Sequence, residues 1–296
     1  MGITNHHKLL VIGGTGYLGD WVVRLAKQTW EVTATHCTSP AGQHAVTWQR
    51  LDVRNGNAVA SLVERIAPDV IIHTVAANPG PQPDFEGVNV RGTRQVARAA
   101  AHGNAYLIHL STDVVFDGRQ GNYRESAVPH PLTAYGRSKA QAEAAVQTTG
   151  GKYLIVRTSL IYGWRPQLDR QTRWILTGLR NQDPPHLFTN ELRSPVWVES
   201  LAAALLELAT LKATGILHIA GAQPLSRYEF GVRLARFHGF DPAPLIPANS
   251  RESALNRPPD CTLDCSAARQ LLATPLPGVD KVLGLTKFAP HSKLRL

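Results

Sequence analysis

A tyrosine and a lysine stand four residues apart in the stretch AYGRSK, at Tyr135 and Lys139. The run that follows, AQAEAAVQ, predicts a helix, and residues four apart share one helical face. An ammonium beside a phenol favours the phenolate and lowers the phenol's pKa from its usual value near 10. Such a tyrosine can pass a proton to a carbonyl oxygen as hydride reaches the carbonyl carbon. A chance pairing is the alternative, and what precedes the motif decides between the two.

The segment LSTDVVFDG lies upstream and begins at the end of a predicted strand. Ligands of parallel sheets collect at the carboxyl ends of strands. We therefore expect Ser111 and Thr112 at the same rim as the helix that carries Tyr135 and Lys139. The Thr112 hydroxyl would hydrogen-bond the oxygen that Tyr135 protonates, and Ser111 would contact the substrate beside it.

A glycine-rich turn, GGTGYLG, separates the first predicted strand from the first predicted helix. Its glycines would let backbone N–H groups approach a pyrophosphate at the N-terminus of the helix. The alternative is a tight strand–helix turn without a ligand. The residues expected to contact a dinucleotide are Gly13, Thr15, Gly16, Tyr17, Leu18 and Gly19.

The second predicted strand ends at His36 without the carboxylate that usually binds a free ribose 2′-hydroxyl. We therefore expect NADPH to be preferred over NADH by about tenfold, and more strongly as pH falls toward 6, because protonated His36 would contact the 2′-phosphate. Thr35 and Thr38 offer hydroxyls, and Arg50 joins them only if its strand end bends back. Asp52 is placed to meet the adenine ring; the alternative is an aspartate that caps a turn.

The elements that must position these groups alternate between strand and helix over the first half of the chain. Strands are predicted at Lys8–Gly13, Glu31–His36, Ala45–Gln49, Val70–Ala76, Ala105–Ser111 and Lys152–Ser159. Helices are predicted at Trp21–Gln28, Ala58–Ile66, Val88–His102 and Tyr135–Thr149. This alternation predicts an α/β fold with a doubly wound, Rossmann-type parallel sheet over residues 1–163.

Beyond about residue 163 the rhythm breaks and prolines become frequent. The predicted elements there are helices at Arg170–Arg180, Glu199–Leu211 and Ser226–His238, and a strand at Gly215–Gly221. We expect residues 164–296 to form a smaller, mostly helical substrate-binding region, parts of which pack back on the first domain.

Composition narrows the class of protein. Hydrophobic residues make up 43% and charged residues 18%, which suits a globular chain, and no stretch of about twenty apolar residues is present. The net charge of +9 comes from scattered lysines and arginines, which predicts attraction for phosphorylated small molecules and no nucleic-acid binding. Three cysteines, Cys37, Cys261 and Cys265, favour a reducing, cytoplasmic location, and their spacing predicts no metal site.

Taken together, the motifs resemble the extended short-chain dehydrogenase/reductase family. The resemblance is carried by GGTGYLG, HTVAAN (residues 73–78), VNVRGT (88–93), STDVVFDG, YGRSK and VRTSLIYG. Within that family, STDVVFDG, RSPVWVESLA (193–202), SRYEF (226–230) and RPPDCTLD (257–264) are similar to the dTDP-4-dehydrorhamnose reductases. The likeness covers nearly the whole chain.

The resemblance implies a set of site residues. The implied catalytic residues are Thr112, Tyr135 and Lys139. The implied cofactor contacts, besides the glycine loop and His36, are Asp52, Val53, Thr74, Ala76, Ala77, Tyr135 and Lys139. The implied substrate contacts are Ser111, Asn78, Arg193, Trp197 and Arg257. For Arg257 a phosphate-binding role and a plain surface arginine stay open.

Two departures from the family pattern bear on the substrate. Val114 stands where these reductases have tyrosine, and NPGPQPDFEGVNV replaces their V-D-x-A-E segment. We expect an NAD(P)H-dependent reductase of a keto group on a nucleotide-activated sugar. A non-catalytic NADP-binding subunit like that of methionine adenosyltransferase and a nucleotide-sugar epimerase are the alternatives. The resemblance also implies a homodimer paired through Val88–His102 and Tyr135–Thr149, against a monomer whose alanines pack on its own sheet.

Overall fold

A seven-stranded parallel sheet forms the centre of the computed structural model, which describes residues 7–38, 40–253 and 256–285. In spatial order its strands are β11 (Gly215–Ile219), β6 (Tyr153–Thr158), β5 (Tyr106–Thr112), β4 (Val70–His73), β1 (Lys8–Ile12), β2 (Glu31–His36) and β3 (Thr47–Arg50). The central strands are continuous apolar runs because both faces of the sheet are covered; in β1, residues 9 to 12 have no exposed surface.

Helices cover the two faces of this sheet and form two apolar cores. One face carries α1 (Tyr17–Ala26), α6 (Val198–Leu211) and α8 (Ser266–Leu271). The other carries α2 (Gly56–Ile66), α3 (Thr93–His102) and α4 (Ala134–Gln147). The doubly wound parallel sheet expected from the sequence is confirmed, and α6 and β11 belong to it although they follow residue 163.

A third apolar core lies in the smaller region. Its helices are α5 (Arg170–Arg180), α7 (Arg227–Phe237) and α9 (Val279–Leu285). Short strand pairs accompany them: β7 (Ile161–Tyr162) with β10 (Val196–Trp197), β9 (Leu192–Arg193) with β12 (Leu225–Ser226), and β8 (His186–Phe188) with β13 (Ile246–Ala248).

Most predicted elements are present, with shifted ends. Helix α1 begins at Tyr17, four residues before the expected Trp21, because the glycine turn leads directly into the helix. The helix expected at Val88–His102 is a π-helix over Phe85–Gly92 that continues into α3. Such π-helical turns are rare and frequently occur at functional sites. Over the described ranges, no helix has the length and apolar character needed to cross a bilayer.

Candidate active site

The carboxyl end of β5 and the first turn of α4 meet closely at one rim of the sheet. Thr133 caps α4, and its hydroxyl accepts a hydrogen bond from the Gly136 amide at 3.0 Å. A Cβ at Gly136 would lie 2.2 Å from the carbonyl oxygen of Val114, in the turn after β5. Glycine therefore allows the helix that carries Tyr135 to sit directly against the turn that follows Thr112.

Lys139 is buried beneath this rim and is tied to β5. Its side chain is 2% exposed, and Nζ donates to the carbonyl oxygen of Leu110 at 2.5 Å. Nζ also lies 3.4 Å from Nε2 of His109, a fully buried residue that the sequence analysis did not single out. Burial lowers the pKa of Lys139 to about 8, and the nearby carboxylate of Glu143 opposes that shift. The ammonium is thus held in place by the strand that ends at Thr112.

Tyr135 is half-buried at the start of α4, and the ring of Phe85 from the π-helix lies 5.9 Å from its own. Burial, with a smaller contribution from the Asp113 carboxylate, raises the pKa of Tyr135 to about 12. This corrects the expectation that Lys139 lowers it, because the lysine's contacts run to β5 instead. Tyr135 therefore keeps its proton at neutral pH.

Thr112 is half-buried at the strand end, and its hydroxyl donates to Oδ1 of Asp113 at 3.1 Å. Asp113 is itself buried and accepts a hydrogen bond from the Ser159 hydroxyl at 2.6 Å. Burial raises the pKa of Asp113, while the neighbouring Arg193 opposes the change. These contacts orient Thr112 at the rim, on the side where Tyr135 begins α4.

Ser111 does not reach the rim, which corrects the expectation that it contacts substrate. Its side chain points to the interior, where the hydroxyl donates to Glu143. The Glu143 carboxylate is also bound by Arg157 of β6, with Nη2 at 2.8 Å and Nε at 3.1 Å. Alternating side chains point to opposite faces of a strand, so Ser111 and Thr112 cannot both face the same ligand.

The glycine loop is shaped for close backbone approach. Helix α1 begins after Gly16, and no side chain caps its first amides. A Cβ at Gly19 would lie 2.0 Å from the Gly13 carbonyl oxygen, so only glycine lets the helix pack on the loop. Thr15 is half-buried, whereas Leu18 is buried in the core and offers only its backbone. Uncapped amides at a helix N-terminus fit the pyrophosphate of a dinucleotide.

Tyr17 in the same loop faces the smaller region. Its hydroxyl is buried without a hydrogen-bond partner in the described part of the chain, and a Cβ at Gly163 would lie 2.6 Å from it. Burial, followed by the charge of Asp169, raises the pKa of Tyr17. The ring therefore connects the glycine loop to the segment that leads into the smaller region.

The end of β2 carries the groups that would meet a ribose phosphate. His36 is half-exposed, and Arg50 at the end of β3 is its partner in the parallel register, so both lie on one face of the sheet edge. Thr35, by contrast, is 2% exposed, and its hydroxyl accepts from the Gly13 amide at 3.0 Å. Thr35 therefore stabilises the glycine loop, and its hydroxyl is not accessible to a ligand. Thr38, by contrast, is exposed.

Asp52, which follows β3, takes part in an ion-pair network at this edge of the sheet. Its carboxylate accepts from Arg54, with Nη2 at 2.7 Å, and Arg54 also reaches Asp84 at 3.2 Å. Hydrogen bonding from Arg54 lowers the pKa of Asp52. Val53 is buried, with its side chain in the core that α2 and α3 cover. A ligand would therefore meet the Asp52–Arg54 pair and the backbone here.

The loop after β4 is fastened on both sides. Thr74 donates to the carbonyl oxygens of Ile12 and Gly13, at 3.1 and 3.3 Å. Asn89, a fully buried residue of the π-helix that the sequence analysis did not single out, accepts from the Ala77 amide at 2.7 Å and donates to the Ser138 hydroxyl at 2.9 Å. The asparagine within VNVRGT was the feature of the sequence that could have indicated this role. Ala76 and Ala77 are half-buried beside this clamp.

In the smaller region, three arginines form ion pairs with one buried carboxylate. Glu191 is 1% exposed and forms ion pairs with Arg193 at 3.1 Å, Arg227 at 3.9 Å and Arg257 at 2.5 Å. Arg193 also lies 3.7 Å from Asp113. The three guanidiniums exceed these two carboxylates by one positive charge, which leaves the cluster attractive to an anion.

The expected substrate residues differ in their access to this cluster. Arg193 is 3% exposed and donates to the Pro258 carbonyl at 3.0 Å, so it orders the cluster from inside and does not present its side chain to solvent. The Arg257 side chain is 36% exposed and contacts the Phe188 ring. Trp197 is half-buried and stacks on Trp164 at 6.0 Å. Asn78 is exposed at the start of the proline-rich loop.

Among the described residues, no group of three or more His, Cys, Asp or Glu side chains is arranged to hold a metal. Cys261 and Cys265 are buried thiols, and Cys37 is exposed at the end of β2.

Comparison with known proteins gives a family and several relatives. Residues 7–285 match the family described as RmlD substrate binding domain. The chain is 31% identical over 245 residues to dTDP-4-dehydrorhamnose reductase of Aggregatibacter actinomycetemcomitans, covering 77% of this chain and 78% of the relative. It is 28% identical over 281 residues to methionine adenosyltransferase 2 subunit beta of Xenopus tropicalis, covering 89% and 82%.

Among solved structures, the fold is similar to dTDP-4-dehydrorhamnose reductase of Bacillus anthracis in complex with NADP. The TM-score is 0.80 at 22% identity, over 95% of this chain and 98% of that one. At this identity the likeness concerns the fold.

Proposed function

This chain belongs to the RmlD family of extended short-chain dehydrogenase/reductases, and we propose that it reduces a keto group on a nucleotide-activated sugar with NADPH. The observation that carries the proposal is the junction of β5 and α4. There Thr112 and Tyr135 share one rim, and the ammonium of Lys139 is fixed beneath them at the Leu110 carbonyl. Each of these groups has a chemical role in carbonyl reduction that a binding protein does not need.

The residues present fit a dinucleotide. The uncapped N-terminus of α1 and the close-packed glycine loop would hold the pyrophosphate, and the exposed edge with His36 and Arg50 would meet a 2′-phosphate. No carboxylate stands at the end of β2 to repel that phosphate. When bound, the dinucleotide supplies the hydride.

The protein's own groups would handle the proton. With its pKa raised to about 12, Tyr135 is a neutral phenol at pH 7, which is the form that donates in the direction of reduction. Thr112 would hydrogen-bond the same substrate oxygen. The ammonium of Lys139 would stabilise the tyrosinate that forms after transfer, and it is protonated below about pH 8.

The nucleotide part of the substrate would lie at the arginine cluster. Arg257 is the partly exposed member, and the cluster keeps a net positive charge after its carboxylates are counted. A guanidinium suits a diphosphate because it can donate two parallel hydrogen bonds. We propose Arg257 as the contact to the substrate phosphates, with Arg193 and Glu191 fixing its position.

The second candidate is a non-catalytic NADP-binding subunit, favoured by the similarity to methionine adenosyltransferase 2 subunit beta over 89% of the chain. Purified protein should be incubated with NADPH and a panel of nucleotide-activated keto-sugars while nicotinamide absorbance is followed. We expect oxidation of NADPH with at least one sugar. NADPH binding without turnover on any of them would favour the binding subunit.

Tyr135→Phe tests the proton donor within the same assay. It removes the hydroxyl and keeps the ring against Phe85, so turnover should fall by about 10²–10⁴-fold while NADPH binding persists. Tyr153→Phe, at the start of β6 and away from the rim, is the matched control and should keep full activity. Turnover of Tyr135→Phe within a few-fold of wild type would reject the assignment.

We further propose that the protein is a cytoplasmic homodimer paired through the outer faces of the π-helix, α3 and α4. These faces border an open depression of about 400 Å³, lined by Glu86, Val90, Arg94, Gln141, Ala144, Ala145 and Thr148. Small side chains such as Ala144 permit close approach of a second copy. Light scattering should give twice the chain mass; a monomer at working concentration would contradict the pairing.

A further inference from the structure

Two histidines that the reduction does not use lie beneath Lys139. His73 on β4 and His109 on β5 are fully buried and are partners in the parallel register of the sheet. Their ring centroids are 5.3 Å apart. Nε2 of His109 lies 3.4 Å from Nζ of Lys139, and the neighbouring Leu110 carbonyl lies 2.5 Å from the same nitrogen. The lysine is therefore held by two consecutive residues of one strand.

The contact with Lys139 determines the tautomer of His109. An ammonium only donates, so Nε2 must accept and the ring proton must sit on Nδ1. Within the described part of the chain, Nδ1 has no hydrogen-bond partner. Burial, and then the charge of Lys139, hold the pKa of His109 well below its usual value, and the same causes lower that of His73 to about 3. Both imidazoles are thus neutral at pH 7.

We propose that His109 is a positioning residue for Lys139, whose neutral imidazole accepts a hydrogen bond from the ammonium and keeps it protonated and fixed at the floor of the active site. This role rests on the proposed function, in which Lys139 acts beside Tyr135. Position 109 of β5 faces the buried ammonium of Lys139 and therefore needs a hydrogen-bond acceptor. An apolar side chain at this position would leave one N–H of the ammonium unpaired.

The other charges around Lys139 have ion-pair partners of their own, although the Glu143 carboxylate also favours the ammonium. Glu143, one turn further along α4, is bound by Arg157 of β6. Asp113, from the turn after β5, lies 3.7 Å from Arg193 and acts on Tyr135 rather than on the lysine. On β4, Nε2 of His73 lies 3.3 Å from the Thr93 hydroxyl of α3. Among the described side chains, His109 is therefore the one within hydrogen-bond distance of Nζ.

Removal of the His109 acceptor should change the pKa of Lys139 in a defined direction. The ammonium is present below the pKa of Lys139, about 8, and is lost as pH rises through it. Without the hydrogen bond that the ammonium donates to His109, the protonated form of Lys139 is less stable. The pKa of Lys139 therefore falls further. We expect a drop of about one unit in His109→Leu, equivalent to about 1.4 kcal/mol.

Titration of the lysines by NMR tests the proposal directly. Protein labelled with ¹³C at the lysine ε-carbon contains eight lysines, and the resonance of Lys139 is identified by its loss in Lys139→Met. The variants compared are His109→Leu, His109→Gln and His73→Leu. His109→Leu should lower the Lys139 pKa by about one unit, and His109→Gln, whose amide oxygen still accepts, should restore most of it. His73→Leu is the matched control and should leave the titration unchanged.

A second readout is the alkaline limb of kcat/KM for NADPH oxidation, which should move to lower pH by the same amount in His109→Leu. If Leu prevents folding, His109→Met supplies the same loss of acceptor with a more adaptable side chain. A folded apolar variant whose Lys139 titrates as in wild type would show that His109 only fills space. The NMR titration needs no substrate, so a failure to find any reducible sugar would overturn the proposed function and leave this test intact.

Discussion

Replacing Arg50 by alanine should weaken NADPH binding and leave NADH binding unchanged. Arg50 ends β3 in register with His36 at the end of β2, and its side chain is exposed at the edge where the ribose of a dinucleotide would lie. NADPH carries a 2′-phosphate that NADH lacks. The arginine should therefore act on one cofactor alone.

The magnitude follows from the exposure of the guanidinium. Two unit charges 4 Å apart in water interact by about 1 kcal/mol. A phosphate monoester carries about 1.5 to 2 negative charges at neutral pH, and salt screens part of the attraction. We therefore expect a loss of about 1.4 kcal/mol, which is a tenfold increase in the Kd for NADPH.

Nicotinamide fluorescence measures both cofactors without a sugar substrate. Arg236→Ala, an exposed arginine on α7, removes the same net charge away from the cofactor edge and serves as the control. Arg50→Ala should raise the Kd for NADPH about tenfold, with the Kd for NADH within twofold of wild type. Equal weakening of both cofactors, or of neither, would refute the assignment of Arg50 to the phosphate.

Two further changes test the substrate side and the support beneath the site. Arg257→Ala should raise the KM for the nucleotide-sugar about tenfold and leave the Kd for NADPH unchanged, because Glu191 keeps its other two arginine partners; steady-state kinetics and fluorescence measure the two quantities. Arg157→Leu should lower the free energy of unfolding by about 3–5 kcal/mol, measured by urea denaturation, because it leaves the Glu143 carboxylate buried without its ion pair.

A different result would refute each of these two predictions. Equal effects on KM and cofactor binding would show that Arg257 supports the whole fold rather than the substrate phosphates. For Arg157, the control is Arg233→Ala, which removes an exposed pair with Asp280 and should cost less than about 1 kcal/mol. Similar losses of unfolding free energy in both variants would contradict the claim that breaking the buried pair costs more than breaking the exposed one.

The fold could be read from the sequence because its strongest signals are local. Apolar runs such as LLVI in β1 have no exposed surface, and runs of this kind mark a strand covered on both faces. The glycine turn identified where the chain passes from β1 to α1. The π-helix Phe85–Gly92 could not be foreseen, because its spacing departs only slightly from the α-helical pattern.

The site was predicted less completely because side-chain partners depend on tertiary contacts. Tyr-x-x-x-Lys places two residues on one helical face, but the pattern does not reveal that Lys139 bonds to Leu110 and His109 of β5. Burial therefore raises the pKa of Tyr135, and the lysine does not lower it. Ser111 next to Thr112 looked equally suited to a substrate, whereas strand alternation turns it toward Glu143.

The segment that departs from the family pattern is held between the two parts of the protein. Asp84, which ends the proline-rich loop of this segment (residues 78–84), caps the π-helix and binds Arg54, which lies beyond β3, at 3.2 Å. Pro79, near its start, accepts a hydrogen bond from Arg170 of α5, at 3.3 Å. Arginines from the doubly wound part and from the smaller region therefore fix both ends of the loop that adjoins Tyr135 through Phe85. Because rigid loops select ligands by shape, we expect this segment to distinguish the proposed substrate from that of the dTDP-4-dehydrorhamnose reductases.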